Sequence, residues 1–176
     1  MSGPGLRRAA LGSAIFFLVA PGAVAGLAPF LMTGWVRVSE WPTSVRLGGA
    51  TLIIVGIASL VESFVRFVVH GRGTPAPVAP PTRLVVSGQY RHVRNPMYVA
   101  LVAIVAGQGA WLGSSALLLY AGVLWGLFHL RVVTYEEPVL ARQFGEAYDE
   151  YRQGVRRWIP SISPWRSGQT RLGVAR

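Results

Sequence analysis

Apolar and polar residues are segregated along this chain into long blocks, and the block lengths predict helices. The first block runs from about Ala9 to Met32, preceded by Arg7 and Arg8 and interrupted by Pro21 and Pro29. It exceeds the apolar core of about 7 to 15 residues typical of a secretory signal, and more apolar blocks follow, so it is read as an uncleaved first span. A short loop with Arg37, Glu40 and Arg46 leads to a second block, Leu47 to Val69. Inside that block Glu62 and Arg66 lie four apart, share one helix face and can neutralise each other. Pro96 to Val133 is nearly continuous apolar sequence, too long for one span of roughly 20 residues. Gly107, Gly109, Gly113, Ser114 and Ser115 in its middle predict a tight helical hairpin, Pro96 to about Ala110 and about Ser114 to Val133. Between the second block and the hairpin, Thr74, Pro75, Pro77, Pro80 and Pro81 favour extended backbone. Beyond the hairpin Leu140, Phe144, Tyr148 and Tyr151 recur at helical spacing, with Arg142, Glu146, Asp149 and Glu150 among them. They form one apolar stripe on a helix, expected at the membrane surface or on the loop before Pro96.

The pattern predicts an all-α, polytopic membrane protein with about four transmembrane helices and a cytosolic C-terminal amphipathic helix. One membrane domain, 1–176, is expected: two spans in 1–70, a cytosolic loop over 71–95, the hairpin over 96–133 and a cytosolic tail over 134–176. Composition agrees, since a chain 52% hydrophobic and 14% charged is too apolar for an ordinary soluble domain. The absence of cysteine excludes disulfides, thiolate metal sites and cysteine nucleophiles. His129 has no second ligand at metal spacing, and no metal site is expected. All 17 basic residues are arginine, against 7 acids. With four spans, Arg7, Arg8, the arginines of the middle loop and those of the tail fall on one side, leaving only Arg37 and Arg46 opposite. The positive-inside rule then places both termini in the cytoplasm, and the charge is assigned to anionic lipid rather than nucleic acid.

Two stretches carry candidate chemistry. In Gly88-Gln89-Tyr90-Arg91-His92-Val93-Arg94-Asn95-Pro96-Met97-Tyr98, Asn at a cap followed by Pro at the first helical position marks a helix start. Free N–H groups there, with Arg91 and Arg94, suit a carboxylate or phosphate. The plainer reading is a capped helix with interfacial Arg and Tyr anchors. In Tyr135-Glu136-Glu137-Pro138, two adjacent carboxylates at a helix C-terminus oppose the helix dipole and need partners. Either they pair with Arg131 or Arg142, or one accepts hydrogen bonds from hydroxyls or an ammonium on a ligand. His92 is open as a base, a hydrogen-bond partner or a surface residue. Gly107-Gln108-Gly109 lies in a hairpin with no strand before it, so a phosphate loop is excluded by context.

The ordered set Gly88, Tyr90, Arg94, Asn95, Pro96 and Tyr98, then a hairpin, Glu136 and Glu137, Phe144, Gly145, Tyr148 and Tyr151, and finally Arg157 and Pro160, resembles the isoprenylcysteine carboxyl methyltransferase family and its phospholipid methyltransferase relatives. The resemblance spans roughly residues 84 to 160, with Asn95 where the eukaryotic prenylcysteine enzymes typically have His. It implies an integral membrane enzyme using S-adenosylmethionine in a cytosol-facing pocket completed by the tail, and a lipid or isoprenoid-type acceptor arriving from the bilayer. It implies cofactor contacts from Tyr90, His92, Arg94, Asn95, Tyr98, Glu136, Glu137 and Tyr148. Arg94, Arg157 and His92 are the candidate catalytic groups: the arginines orient a carboxylate acceptor, and His92 is a base for an amine acceptor. O-methylation of the isoprenylcysteine type is the leading reading and phospholipid-type N-methylation the alternative. From another class come a small four-helix exporter built on Glu62 and a non-enzymatic scaffold.

Overall fold

The structure, a computed structural model, describes residues 19–71 and 84–166. The start of the first apolar block and the prolines at 75, 77, 80 and 81 lie outside the described residues. Within them the regular structure is helical throughout, with no strand: α1 (Val19–Thr33), α2 (Thr43–Gly71), α3 (Pro96–Leu112), α4 (Ser115–Phe144) and α5 (Glu146–Gly154), with a 3-10 turn at Gly88–Arg91. Two helices are long and apolar enough to cross a membrane, α2 through Thr43–Arg66 and α4. Only 17% and 22% of their most apolar windows are buried, and Ile54, Leu119 and Leu127 point outward. The core helix of a soluble protein would be mostly covered; these faces ask for lipid. The other two apolar helices, α1 and α3, are shorter.

Glycine seats α2 against α3. A methyl group on Gly49 would meet the Gly107 carbonyl at 2.6 Å, one on Gly56 would meet the Ile104 side chain at 2.7 Å, and one on Gly107 would meet the Gly49 carbonyl at 2.7 Å. The two backbones thus touch along a seam of small residues, the arrangement by which apolar helices gain close packing without a hydrophobic driving force between them. Leu60, Ala100, Leu101 and Ile104 extend the contact, and Val105, Ala121 and Leu124 continue it between α3 and α4. Gly113 turns the hairpin in the left-handed conformation (φ 68°), where an added Cβ would run into the Ser39 backbone. Ser114 caps α4 by accepting from the Leu117 amide at 3.3 Å, where the sequence places the start of that helix, and α3 ends at Leu112, two residues beyond the expected Ala110.

Both α1 and α4 contain a π-helical segment, Ala23–Leu27 and Val132–Glu136, and in each a proline follows two residues later, Pro29 and Pro138. Proline has no N–H for the carbonyl four residues back and its ring crowds that carbonyl, and a widened turn relieves both conflicts locally. In α1 the carbonyls set free find side-chain donors on the hairpin: Gln108 Nε2 donates to Ala25 O at 2.7 Å and Tyr120 Oη to Val24 O at 3.1 Å. Where water is excluded an orphaned carbonyl is costly. Tyr120→Phe is therefore expected to lower the thermal midpoint in detergent by a few degrees, for a loss of about 1 kcal/mol; an unchanged midpoint would remove this contact from the account of α1 docking.

The stripe of Leu140, Phe144, Tyr148 and Tyr151 does not lie on one helix. α4 runs on to Phe144, and Gly145 (φ 51°, ψ −129°) separates it from α5. The four residues still converge, because the bend folds α5 back so that Tyr148, Tyr151 and Val155 pack with Leu140, Phe144, Leu84 and Val86. The packing on the segment before Pro96 is the arrangement the spacing anticipates; the continuous helix is not.

Candidate functional site

The segment Leu84–Asn95 is held between α5 and the tail. Tyr90 is buried, and its carbonyl accepts from Tyr151 Oη at 2.6 Å. The tail then runs alongside: the Arg94 amide donates to Arg156 O, the Ser161 amide to His92 O and the Trp165 amide to Arg91 O, each at 2.9 Å. Side chains reinforce the pairing, with Arg91 Nε donating to Trp165 O at 2.7 Å and Asn95 Nδ2 to Arg157 O at 3.2 Å. Asn95 occupies the cap position of α3, but its side chain makes no cap hydrogen bond; its Nδ2 instead donates to the tail.

This zipper brings Arg94 and Arg157 to one carboxylate. Arg94 Nη1 lies 3.0 Å from Glu137 Oε1, and Arg157 grips both oxygens, Nε to Oε1 at 2.6 Å and Nη2 to Oε2 at 2.9 Å. The Arg94 and Glu137 side chains are only 11% and 13% exposed and Arg157 30%, so the charges meet away from bulk water, where such pairs are strong. Tyr148 Oη accepts from Arg94 at 3.5 Å, while Arg94 Nε is buried with no acceptor. One turn away Tyr98 Oη donates to Glu136 Oε1 at 2.5 Å, and Arg131 Nε donates to the same oxygen at 2.8 Å. The Tyr98 ring stacks on Phe128 at 4.5 Å.

Glu136 thus has Arg131, the partner expected of a plain ion pair, whereas Arg142 turns to the Pro138 carbonyl. Glu137 is bound by two arginines 43 and 20 residues distant in sequence, which spacing does not reveal. His92 stands apart from this cluster: its Nδ1 contacts Ser161 O at 2.7 Å and its ring lines an open cleft of about 600 Å³ with Glu62, Arg66, Gln89 and Arg91. Trp158, next to Arg157, donates to His129 Nδ1 at 3.0 Å, which fastens the tail to α4. Trp158 carries no signal in the motifs, while Arg131 and Glu62 are read from the sequence as an ion-pair partner and as an acid beside Arg66; the polar series Ser59, Glu62, Ser63 and Arg66, at spacings of three and four, marks the face of α2 that meets the cleft.

Electrostatics fix the protonation states around the cluster. Burial pushes the Tyr148 hydroxyl above the usual phenol range, and the Glu137 charge adds to it. Burial does the same for Tyr90 and Tyr151. All three stay neutral hydrogen-bonding groups at physiological pH. The hydrogen bond to Glu137 raises Arg157 further, so it is a permanent cation. Among the described residues no three of His, Cys, Asp and Glu are grouped to hold a metal ion.

Several characterised and uncharacterised proteins are similar to part of this chain. A protein-S-isoprenylcysteine O-methyltransferase of Schizosaccharomyces pombe is 40% identical over 80 residues, which cover 45% of this chain and 34% of that protein. A nickel-cobalt-cadmium resistance protein, NccN, of Alcaligenes xylosoxydans is 32% identical over 91 residues, 52% of this chain and 42% of the relative. An uncharacterized protein of Haemophilus influenzae is 37% identical over 67 residues, 36% of this chain and 100% of its own length. The chain thus spans less than half the length of the first two. The sequence model of the phospholipid methyltransferase family matches residues 45–147, which take in α2, the Gly88–Tyr98 segment, the hairpin and both glutamates. With more than half of its 176 residues inside that match, the chain belongs to the phospholipid methyltransferase family.

Proposed function

We propose that this protein is an integral membrane methyltransferase that moves a methyl group from S-adenosylmethionine to the carboxylate of a lipophilic, isoprenylcysteine-like acceptor. It would act as one membrane domain of four spans, α1 to α4, with the termini and the site in the cytosol. The observation that carries the reading is the convergence of Arg94 and Arg157 on one carboxylate in a half-buried site. Two guanidiniums so arranged form a receptor for a carboxylate, and Arg157, the more exposed of the two, is the one placed to release Glu137 and take up an arriving acceptor.

The donor set fits the cofactor's chemistry. Arg94 keeps one buried N–H without an acceptor, which suits an anionic group at the start of α3 beside Asn95. Glu136 and Glu137 suit hydroxyls or an ammonium, and the Tyr90, Tyr98 and Tyr148 rings suit adenine or a sulfonium. When bound, S-adenosylmethionine supplies a methyl on a positively charged sulfur, which a carboxylate oxygen takes in one in-line displacement while the sulfur keeps the bonding pair. The chain's part is to orient the acceptor through Arg94 and Arg157 and to shield the reacting groups from water with the Tyr90, Tyr148 and Tyr151 packing. A carboxylate is already ionised at neutral pH, so no base is needed.

One observation favours amine methylation as the second reading. His92 donates from Nδ1 to the Ser161 carbonyl, a tautomer assigned by that acceptor, which leaves Nε2 as a proton acceptor on the cleft. The exporter reading loses support because Glu62 is paired with Arg66.

Equilibrium binding of S-adenosylhomocysteine to protein in nanodiscs tests the cofactor, and labelled methyl transfer to N-acetyl-S-farnesylcysteine or to phosphatidylethanolamine vesicles tests the acceptor. Saturable binding with base-labile label on the farnesylcysteine supports the proposal; base-stable label on the lipid amine selects the second reading; no binding by folded protein overturns both. The pH profile separates them again. With a carboxylate acceptor and permanent arginine cations the rate is expected to be flat from about pH 6 to 9, whereas transfer that depends on a side-chain base would slow as the pH is lowered.

A further inference from the structure

A polar cleft lies outside the Arg94–Glu137–Arg157 cluster. It has a volume of about 600 Å³ and is lined by Glu62 and Arg66 from α2 and by Gly88, Gln89, Arg91 and His92. Arg66 Nε donates to Glu62 Oε1, and Gln89 is tied to the same face of α2, accepting from Ser59 Oγ at 2.5 Å and Ser63 Oγ at 3.4 Å. Gly88 crosses directly over the ion pair with φ 56°, and a Cβ there would collide with Arg66 Nε and Glu62 Oε1. Glu62 Oε2 is shut off from solvent and has no hydrogen-bond donor.

The state of the carboxylates decides what this cleft can hold. Both oxygens of Glu137 already receive guanidinium N–H groups, and Glu136 is engaged by Tyr98 and Arg131. An ammonium entering the site would have to displace an arginine from Glu137, and at Glu136 it would find Arg131 and Tyr98 already sharing Oε1. Glu62 alone of the three has a carboxylate oxygen that is both shut off from solvent and without a donor, and an unsatisfied buried acceptor is a cost that a ligand donor removes. Arg66, Arg91 and His92 around it give the cleft basic as well as acidic groups. A ligand group with one positive and one negative charge close together matches that wall; a simple anion or cation does not. The cleft also lies beside the proposed methyl-transfer site, because Arg91 and His92 on its wall stand three and two residues before Arg94 in the same segment.

We infer that this cleft receives the zwitterionic α-amino-acid end of S-adenosylmethionine, with Glu62 taking the ammonium and Arg91 the carboxylate. The inference rests on the methyltransferase reading and moves the amino-acid end away from the Arg94 N–H and from Glu136 and Glu137, which leaves Arg94 to the acceptor and the two glutamates to the ribose hydroxyls and to Arg157. It makes α2 part of the cofactor site and ties Gly88 of the Gly-x-Tyr motif to a binding role.

The test compares S-adenosylhomocysteine with 5′-methylthioadenosine, which keeps the adenosine and the thioether but lacks the amino acid, by equilibrium binding to full-length protein in nanodiscs. Wild-type protein is expected to favour S-adenosylhomocysteine by about 10- to 100-fold, the size of charge-assisted hydrogen bonds gained. Glu62→Gln should erase that preference and leave methylthioadenosine binding unchanged, Glu62→Asp should restore part of it, and Arg91→Gln should erase it from the other end. Methylthioadenosine binding reports folding in each variant. A wild-type preference kept in both Glu62→Gln and Arg91→Gln overturns the inference while the methyltransferase reading stands. Equal loss of both ligands in the two variants also overturns it, since the residues would then act only on structure. If wild-type protein binds neither compound, the methyltransferase reading itself fails.

Discussion

Glu137→Gln is expected to lower methyl transfer by about 100-fold or more, because the substitution leaves two guanidiniums facing each other with no counter-charge, and removing one member of a buried ion pair costs about 3–5 kcal/mol. Arg94 is the more exposed to this effect in energetic terms, being the least solvated of the three side chains. With Glu137 neutral, Arg94 and Arg157 repel, the tail moves off, and the bonds from Arg94 N to Arg156 O and from Asn95 to Arg157 O are strained with it. Glu137→Asp keeps the charge but shortens the reach and should cost much less. The measurement is kcat/KM for the methyl acceptor alongside S-adenosylhomocysteine affinity and thermal midpoint. Activity within a few-fold of wild type in Glu137→Gln would remove the arginine pair from the proposed site. Arg157→Lys should fall between, since lysine cannot make the two parallel hydrogen bonds to Oε1 and Oε2.

Helices are legible in this sequence because apolar block length and helix boundaries are local properties. The hairpin needs only glycines and serines between two apolar runs, and Pro96 at the first turn of α3 lies where cap chemistry puts it. The Glu62–Arg66 pair follows from four-residue spacing alone. What periodicity does not carry is the partner of a carboxylate across the fold: Glu137 takes Arg94 and Arg157, and the tail that delivers Arg157 is an irregular strip held by backbone hydrogen bonds to the Arg91–Arg94 segment. Its only sequence trace is the motif. The helix break at Gly145 is equally hidden from a stripe analysis, because a bend that folds α5 back preserves the convergence of the stripe while ending its helix. The π segments show the same limit in reverse. Pro29 and Pro138 announce a disturbance four residues upstream, but which donors repair it, Gln108 and Tyr120 for α1, depends on packing.

Gly107→Leu is expected to be the most damaging single change to the fold, with no monodisperse protein recovered or a thermal midpoint more than about 10 °C lower, beyond the usual 1–3 kcal/mol of core overpacking. The reason is what the new side chain would meet. Its Cβ alone would stand 2.7 Å from the Gly49 carbonyl oxygen and 3.0 Å from the Ile53 amide nitrogen, both backbone atoms of α2. A side-chain obstacle can rotate away, but a helix backbone can yield only by moving as a whole. Moving α2 from α3 would open the Gly49 and Gly56 contacts together, since the same seam closes both. It would also reach the chemistry, because the seam sets α2, with Glu62 and Arg66, against α3, which has Asn95 at its cap and Tyr98 in its first turn. Gly122→Leu on α4 is the control: nothing lies within 4 Å of its added Cβ, so a change of equal size and equal helix propensity should leave yield, midpoint and S-adenosylhomocysteine binding near wild type. If Gly107→Leu behaves like Gly122→Leu, α2 and α3 are not in backbone contact, and the route by which α2 takes part in the site is lost with them.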